Sequence, residues 1–229
     1  MNLALFLKNL IFPIFCVQCE KEGVWLCDDC FGRLNIESVY LCPACSRPSD
    51  SGRVCAGCAA NSHLDGVGAY FRYSENNAVS ALIKYLKYKY IRDIEHLWRK
   101  IVDKAEMKFG FNLENLLIIP VPLHYLRQRE RGFNQAEILT NIISQKFALK
   151  MDSANLRRQR HTVQQAKLSG SQRRENLTDA FVWKGETPAA ENILLVDDVY
   201  TTGATMQECA KTLKKCGAKM VWGLVLARE

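Results

Sequence analysis

Eight of the ten cysteines of this 229-residue chain fall in four Cys-x-x-Cys pairs within its first sixty residues. A two-residue gap lets both sulfur atoms of a pair face one ion, and two pairs supply the four thiolates of a closed tetrahedral zinc site. Disulfides are a poor alternative, because the cysteines of such a pair rarely bridge each other and we identify no export signal. The spacing therefore predicts two zinc ions. Their ligands are Cys16, Cys19, Cys27, Cys30, Cys42, Cys45, Cys55 and Cys58.

The sequence leaves open which of the Cys-x-x-Cys pairs share a zinc ion. Seven residues separate the first pair from the second, and nine separate the third from the fourth. These gaps suit short hairpins and favour sequential pairing, although a cross-brace stays open. Protein sulfur atoms would fill all four positions of each site, so both ions are expected to be structural rather than catalytic. We further expect zinc removal to unfold residues 16–58 and to spare the remainder of the chain.

The opening segment MNLALFLKNLIFPIF is apolar but does not have the pattern of a targeting or membrane-spanning segment. Lys8 interrupts it, it is shorter than the roughly 20 apolar residues that a span needs, and no small-residue cleavage site precedes Cys16. The pattern predicts instead a short helix that packs on the protein itself, through Leu3, Phe6, Leu7 and Leu10. We expect no membrane span and a cytoplasmic protein.

Downstream of the cysteines, strand-like and helical patterns alternate, which predicts an α/β fold with a mostly parallel sheet flanked by helices. The strands are expected at 66–73, 116–121, 192–197 and 220–227, and the helices at roughly 76–90, 93–108, 133–148 and 203–216. We place the domain boundary so that residues 1–62 form the N-terminal helix and zinc-binding module and residues 63–229 form the α/β domain.

The chain carries a formal charge of +7, and this charge is unevenly distributed. Residues 1–60 hold five of the 31 Lys/Arg and six of the 24 Asp/Glu, which leaves 26 against 18 for the larger, C-terminal part. Such a balance is compatible with phosphate-rich partners, from a nucleotide to a nucleic acid, but does not specify one.

The stretch ILLVDDVYTTGAT, residues 193–205, joins a buried strand to a helix through polar residues. We expect Asp197 and Asp198 to emerge at the carboxyl end of the strand, because two unpaired carboxylates could not stay buried. Adjacent acids suit vicinal hydroxyls or a Mg²⁺ ion shared with a substrate. The hydroxyls and the helix N-terminus that follow suit a phosphate, so the pattern fits a ribose 5-phosphate. The phosphate ligands would be Thr201, Thr202, Gly203, Ala204 and Thr205.

Two other protein classes have an apolar strand that ends in acids. A receiver domain needs its Asp-Asp pair near its beginning, whereas only 31 residues follow Asp198 here. An ATPase with such a strand also needs a GxxxxGK[ST] loop, and the chain contains none.

VDDVYTTGAT resembles the phosphoribosyl-pyrophosphate (PRPP) signature of type I phosphoribosyltransferases, and the order of parts over nearly the whole chain resembles the ComF family. That family joins a double zinc ribbon to a phosphoribosyltransferase-like domain. The resemblance implies that Asp197 and Asp198 face the ribose hydroxyls of PRPP or a related ribose phosphate. It also implies that the threonine-rich turn holds the 5-phosphate and that Mg²⁺ accompanies PRPP.

A second stretch, IIPVPLHYLRQRERGFNQAEIL at 118–139, resembles the family pattern in which RGFNQ follows a Pro-Val-Pro strand end. In related transferases the loop at this place binds pyrophosphate. The residues suit that role, since Arg127, Arg129 and Arg131 cluster on one predicted loop and Gly132 permits close backbone approach. Arg131 is the best single candidate. The alternative is a solvated basic surface, above all for Arg127 and Arg129.

A third stretch, LRRQRHTVQQAKLSGSQRRENL at 156–177, resembles a family segment rich in Arg, Thr, Gln and Ser. From Ser153 to Arg174 there are six Lys/Arg and no acid. The segment could be a lid that closes over a polyanion, a nucleic-acid contact or a charged face. As a lid it would place Thr162, Gln164 and Gln165 at its tip.

The family resemblance implies a role in natural competence, that is, in DNA uptake and transformation. One hypothesis is a PRPP-binding competence factor that handles incoming single-stranded DNA in the cytoplasm. A second is a metabolic phosphoribosyltransferase with a small-molecule acceptor. A third is a non-enzymatic PRPP or nucleotide sensor whose zinc module binds a protein partner such as a helicase. No nucleophilic side chain is evident, and catalytic residues are not assigned.

Overall fold

The structure, a computed structural model, describes residues 13–74, 77–86, 91–159, 179–185 and 189–229, without the side chains of residues 91–93. The described strands are β1 (Val39–Tyr40), β2 (Gly66–Arg72), β3 (Leu116–Pro120), β4 (Lys150–Met151), β5 (Leu156–Arg158), β6 (Phe181–Trp183), β7 (Asn192–Tyr200) and β8 (Met220–Arg228). The helices are α1 (Asp28–Gly32), α2 (Ala78–Leu86), α3 (Ile91–Lys104), α4 (Tyr125–Arg131), α5 (Gln135–Phe147) and α6 (Ala204–Lys215), with 3₁₀ turns at Asp50–Gly52 and Ala56–Asn61.

Six strands form one sheet in the order β1-β2-β8-β7-β3-β4. The pairs from β2 to β4 are parallel, and β1 joins the edge in antiparallel orientation. Strands β5 and β6 form a separate antiparallel pair. The central strands β7 and β8 are nearly continuous apolar runs, as expected of parallel strands that are covered on both faces.

Two hydrophobic clusters are built on the sheet. Cluster A includes the buried side chains of α2, α3 and α5, such as Leu82 and Trp98, together with Leu194 and Val196 of β7. Cluster B includes α6, the β5–β6 pair, and Ile193 and Leu195 of β7. Because successive residues of a strand point to opposite faces, the alternation along β7 assigns the two clusters to the two faces of the sheet.

The zinc-binding module is built into this architecture. Strand β1 lies between the two groups of cysteines and pairs with β2, with Val39 opposite Ala69. Cys16, Cys27 and Cys30 belong to cluster A, so the first group of cysteines shares its packing with the helices of the α/β domain. In the part of the chain that the structure describes, no helix is both long and apolar enough to cross a membrane.

The predicted mostly parallel α/β sheet is confirmed, with all four predicted strands and four predicted helices present at close to their expected positions. Strand β7 is longer than predicted, because it continues through the two acids to Tyr200. Helix α4 occupies a segment that we expected to be a loop. The predicted N-terminal helix falls on residues 1–12 and the lid-tip residues Thr162, Gln164 and Gln165 on residues 160–178, all outside the described residues.

Candidate functional site

The eight paired cysteines form two groups of four. The first tetrad is Cys16, Cys19, Cys27 and Cys30, and the second tetrad is Cys42, Cys45, Cys55 and Cys58. The sulfur atoms of each tetrad lie within 4.8 Å of one another, and three of the separations are 4.0, 3.6 and 3.8 Å. A tetrahedral ion with Zn–S near 2.3 Å requires separations of about 3.8 Å. The tetrads therefore fit two structural zinc ions, and the sequential pairing is confirmed.

The backbone at each first cysteine favours the thiolate form that zinc requires. Burial opposes ionisation of Cys16, but backbone N–H groups, led by that of Cys27, lower its pKa to about 6. Cys42 behaves in the same way, since the N–H of Cys55 and others lower its pKa to about 6 against the effect of burial. Thiolates that receive several backbone hydrogen bonds are suited to hold a metal ion near neutral pH.

The two acids of the signature lie within β7, beyond the point where β3 has ended. Pro120, the last residue of β3, pairs with Val196, whereas Asp197 pairs, among the described strands, with β8. Asp198 is 6% exposed, so the expectation that both carboxylates are exposed at a strand end is wrong for this residue. A local hydrogen bond offsets part of the cost of burying this carboxylate, because its Oδ1 accepts from the N–H of Val199 at 3.0 Å. Asp197 is partly buried.

The regular alternation of β7 shifts by one residue across the acid pair. Leu194 and Val196 face cluster A, but Val199 also packs on cluster A and Tyr200 belongs to cluster B. The pairing with β8 keeps its register through this stretch, from Asp197 opposite Val225 to Tyr200 opposite Arg228, so no residue is inserted in the strand. The acids thus lie where the strand changes its facing and, among the described strands, beyond the end of its neighbour β3.

The turn after β7, called here the Gly203 turn (residues 201–204), needs its glycine. Gly203 has φ 72°, and a Cβ built there would lie 2.0 Å from the hydroxyl oxygen of Tyr200. Thr201 and Thr202 are exposed beside it, and the Oγ1 of Thr202 accepts from the N–H of Ala204 at 3.5 Å. Helix α6 begins at Ala204 and has no acidic residue in its first turn. Its positive N-terminal end is therefore not neutralised from within that turn.

The RGFNQ motif fixes the junction between α4 and α5 beside the end of β3. Gly132 ends α4 with φ 80°, and Asn134 caps α5 by accepting from the N–H of Ala136 at 3.1 Å. The Asn134 side chain also donates to the carbonyl of Val121, which follows β3 directly. The Gln135 side chain accepts from the Arg131 guanidinium at 3.1 Å. Each polar side chain of the motif thus positions the start of α5 or Arg131.

The structure separates the three arginines that we predicted to cluster on a loop. They lie on α4, where Arg127 and Arg131 are four residues apart and share a face, while Arg129 lies on the opposite side and is exposed. Burial is the main cause that lowers the pKa of Arg158, and the positive charge of Arg127 lowers it further. The negative charge of Asp197 acts in the opposite direction on Arg158. Arg127 and Asp197 are therefore both within electrostatic reach of Arg158.

A cleft opens between the end of β3, the start of α5 and strand β5. Its lining consists of Pro120, Pro122, Leu123, Tyr125, Gln128, Asn134, Glu137, Ser153, Arg157 and Arg158. Burial raises the pKa of Glu137, against the influence of Arg157 and Asn134. Sequence reasoning missed Glu137 and treated Arg157 and Arg158 only as members of the basic segment. The positions of Arg157 and Arg158 depend on the pairing of β5 with β6, which no local sequence pattern indicated.

The arrangement suits recognition of an anionic, hydroxyl-bearing ligand rather than covalent chemistry. Adjacent carboxylates and a glycine turn at a helix N-terminus lie at the end of β7, and Asp197 is within electrostatic reach of Arg158. Carboxylates bind hydroxyls or a divalent cation, and backbone amides with guanidinium groups bind phosphates. Within the described residues the acids and the turn lie together at the end of β7, whereas Arg127 and Arg131 lie on the face of α4 opposite Arg129.

Both the zinc-binding part and the α/β part of the chain are similar to known protein families. Residues 7–59 match the family model described as a double zinc ribbon domain, and residues 130–228 match the model described as a phosphoribosyl transferase domain. The chain is 32% identical over 225 residues to competence protein F of Haemophilus influenzae, which covers 88% of this chain and 96% of that protein.

Two further relatives cover nearly the whole chain. The DNA utilization protein YhgH of Escherichia coli K12 is 31% identical over 233 residues, with 96% of this chain and 99% of that protein covered. The competence protein ComFC of Bacillus subtilis is 25% identical over 229 residues, with 90% and 91% covered. The similarity therefore spans the zinc-binding and α/β parts together.

Proposed function

The chain belongs to the ComF family of competence proteins, which includes competence protein F and ComFC, and from this premise we propose that it binds PRPP with Mg²⁺ and handles single-stranded DNA in the cytoplasm during natural competence. The observation that carries the proposal is the composite end of β7. There an acid pair, a glycine turn and an acid-free helix N-terminus follow one another within eight residues that also match the phosphoribosyl transferase domain.

The ribose 5-phosphate part of PRPP is assigned to β7 and the Gly203 turn. Asp197 and Asp198 bind the ribose hydroxyls, since carboxylates accept hydrogen bonds from vicinal hydroxyls without needing a compensating cation. Thr201, Thr202 and the backbone of Gly203, Ala204 and Thr205 hold the phosphate, because the first amides of a helix have no partner within the helix. The exposed hydroxyls of Thr201 and Thr202 and the acid-free first turn of α6 support this assignment.

The diphosphate is assigned to the face of α4 opposite Arg129. Arg131 and Arg127 share that face, and the bond from Arg131 to Gln135 fixes the guanidinium direction. Arg158 adds a third, partly buried cation near Asp197. Mg²⁺ would be held with the ligand by Asp197 or Asp198 and would supply charge compensation for the pyrophosphate group.

Isothermal calorimetry with PRPP and Mg²⁺ tests the proposal. The wild-type protein should bind, and the double variant Asp197→Asn, Asp198→Asn should bind at least tenfold more weakly, because each lost charge-assisted hydrogen bond contributes about 1.5–3 kcal/mol. The matched control Glu106→Gln, Glu114→Gln makes the same charge change at exposed positions before β3 and should retain wild-type affinity. Equal binding by the acid-pair variant and the wild type would contradict the ribose assignment.

Direct contact with single-stranded DNA is supported by the basic C-terminal part and by an exposed aromatic beside the arginines. Tyr125 is 57% exposed at the start of α4. Arg129 is exposed on the same helix, and the exposed Arg157 lines the cleft together with Tyr125. Proteins that bind single strands combine cationic grooves with aromatic side chains on which bases stack. This face of the molecule offers both.

Filter binding of a single-stranded oligonucleotide at two salt concentrations tests this contact. Affinity should fall steeply as salt rises, and Tyr125→Ala should weaken binding about fivefold or more, since one stacked base contributes about 1–3 kcal/mol. Phe15→Ala, which removes another exposed aromatic from the zinc-binding module, is the control and should bind as the wild type does. Salt-insensitive or absent binding would refute direct contact and leave a helicase or another competence protein as the partner.

Turnover is a separate property of the same site. Pyrophosphate release that depends on an added acceptor would identify a phosphoribosyltransferase, with the cleft beside Glu137 as the place for the acceptor. PRPP binding without release against any acceptor would identify a sensor.

A further inference from the structure

The Gly203 turn rests on the second zinc tetrad through one tyrosine. Tyr200 is 3% exposed, and its hydroxyl donates a 2.7 Å hydrogen bond to the backbone carbonyl of Pro43. Pro43 lies between Cys42 and Cys45, in the first knuckle of the tetrad. The same hydroxyl lies under Gly203, where it would be 2.0 Å from an added Cβ. One side chain therefore contacts both the knuckle and the turn.

Arg228 makes a second connection between β8 and the same knuckle. Its guanidinium is fully buried and donates 2.6 Å hydrogen bonds to the carbonyls of Leu41 and Cys42, with a longer one of 3.3 Å to Oγ of Ser46. It also lies 4.8 Å from the centroid of the Tyr200 ring, which it faces across the β7–β8 pair. A buried guanidinium with several carbonyl acceptors is held in one orientation.

Helix α6 makes a third connection one turn further on. The Oε1 of Gln207 accepts from the N–H groups of His63 at 2.8 Å and Leu64 at 3.3 Å, and its Nε2 donates to Oγ of Ser62 at 2.9 Å. These residues follow Cys58, the last ligand of the second tetrad. Both ends of the tetrad segment are therefore bonded to the strand and helix that flank the Gly203 turn.

We propose that the second zinc ion positions the ligand-binding turn: zinc fixes the Cys42–Cys45 knuckle, the knuckle fixes Tyr200 and Arg228, and these fix the Gly203 turn. Tyr200 and Arg228 are positioning residues in this scheme and do not touch the ligand. The identity of the ligand rests on the proposed function, whereas the connection between zinc and turn does not. Thermodynamic linkage makes such coupling reciprocal, so the ligand must also stabilise the zinc site.

The first test compares Tyr200→Phe with Tyr40→Phe in the zinc-loaded, full-length protein. Each removes one hydroxyl, but that of Tyr40 accepts from the N–H of Lys108, away from the Gly203 turn. Amide hydrogen exchange at residues 201–206 should become about fivefold faster or more in Tyr200→Phe, the effect of losing one hydrogen bond, and should not change in Tyr40→Phe. The affinity for PRPP with Mg²⁺, measured by calorimetry, should fall by a similar factor only in Tyr200→Phe.

The second test measures zinc release into a colorimetric chelator with and without PRPP and Mg²⁺. In the wild type the ligand should slow the release of one of the two zinc equivalents, and in Tyr200→Phe this protection should be reduced. Unchanged exchange at 201–206 in Tyr200→Phe, or equal changes in both variants, would overturn the proposal. A wild type that does not bind PRPP would refute the proposed function, while the exchange comparison would still decide whether the zinc site holds the turn.

Discussion

At the scale of single residues, two glycines at helix ends have the same backbone conformation and different surroundings. Gly203 has φ 72° and Gly132 has φ 80°. Among the described residues, a Cβ at Gly132 would meet nothing within 4 Å, whereas one at Gly203 would overlap the hydroxyl of Tyr200. Gly132→Ala costs only the left-handed backbone penalty of about 1–2 kcal/mol. Gly203→Ala adds a steric term of about 1–3 kcal/mol, because the buried tyrosine cannot move away freely.

The two variants give a matched prediction for urea denaturation and calorimetry. Gly203→Ala should lower the free energy of unfolding more than Gly132→Ala and should also abolish measurable PRPP binding, since the displaced Tyr200 disturbs the turn. Gly132→Ala should retain binding within a fewfold. If Gly203→Ala bound PRPP as tightly as the wild type, the phosphate would have to be held elsewhere.

The zinc ligands could be predicted from the sequence, but the environments of the other candidate site residues could not. The spacing of the cysteines was sufficient for both zinc tetrads, because a metal site imposes its geometry on a short segment. The burial of Asp198 could not be predicted, since it depends on β8 alongside and on the shift in alternation before Tyr200. The role of Tyr200 depends on a bond to Pro43, 157 residues away in the chain.

At the scale of elements, α4 turns a predicted loop into a helix with two different faces. Local sequence does not indicate this helix, because its seven residues are mostly polar and only Tyr125 and Leu126 are apolar, both of them exposed. Its bounds come from His124, which accepts from the N–H of Leu126, and from the left-handed Gly132. As a consequence, Arg127 and Arg131 lie on one face of the helix and Arg129 lies on the opposite face.

The helix predicts a specific order of effects on PRPP affinity. Arg131→Ala and Arg127→Ala should each weaken binding about tenfold or more, because a guanidinium that pairs with a phosphate contributes about 1.5–3 kcal/mol. Arg129→Ala, on the opposite side, should change the affinity less than twofold and is the charge-matched control. Calorimetry with Mg²⁺ present measures all three. Equal losses in the three variants would show that only the total charge matters and would contradict the assignment of one face.

At the scale of the whole molecule, the chain is organised differently from two independent modules joined in sequence. The periodicity of the α/β part predicted its sheet, since long apolar runs between helical patterns leave few alternatives. The edge strand β1 is only two residues long and lies among the cysteines, so no periodic signal could reveal it. Packing of the first tetrad in cluster A was equally hidden, because contacts between distant segments are not encoded in local patterns.

From the sequence we expected zinc removal to unfold residues 16–58 alone. These contacts predict instead that zinc removal affects the entire described fold. Structural zinc contributes about 10–16 kcal/mol in small zinc-binding peptides, which is comparable to the 5–15 kcal/mol by which a whole domain is usually stable. Losing the first tetrad exposes the side of cluster A that it covers, including the contact between Trp25 and Tyr85, 4.7 Å between ring centroids. Losing the second releases β1, Tyr200 and Arg228.

Stepwise chelation, followed by circular dichroism and by hydrogen exchange of the β7 and β8 amides, measures this coupling. We expect protection of residues 193–199 and 221–227 to fall together with that of the knuckles, in one transition, because cluster A and the β1–β2 pairing connect them. A chelated protein that lost its knuckles but kept fully protected β7 and β8 amides would show that the sheet is stable alone. In that case the zinc module would be an attached ligand-binding or partner-binding unit, and its hydrogen bonds to Tyr200 and Arg228 would contribute little to the fold.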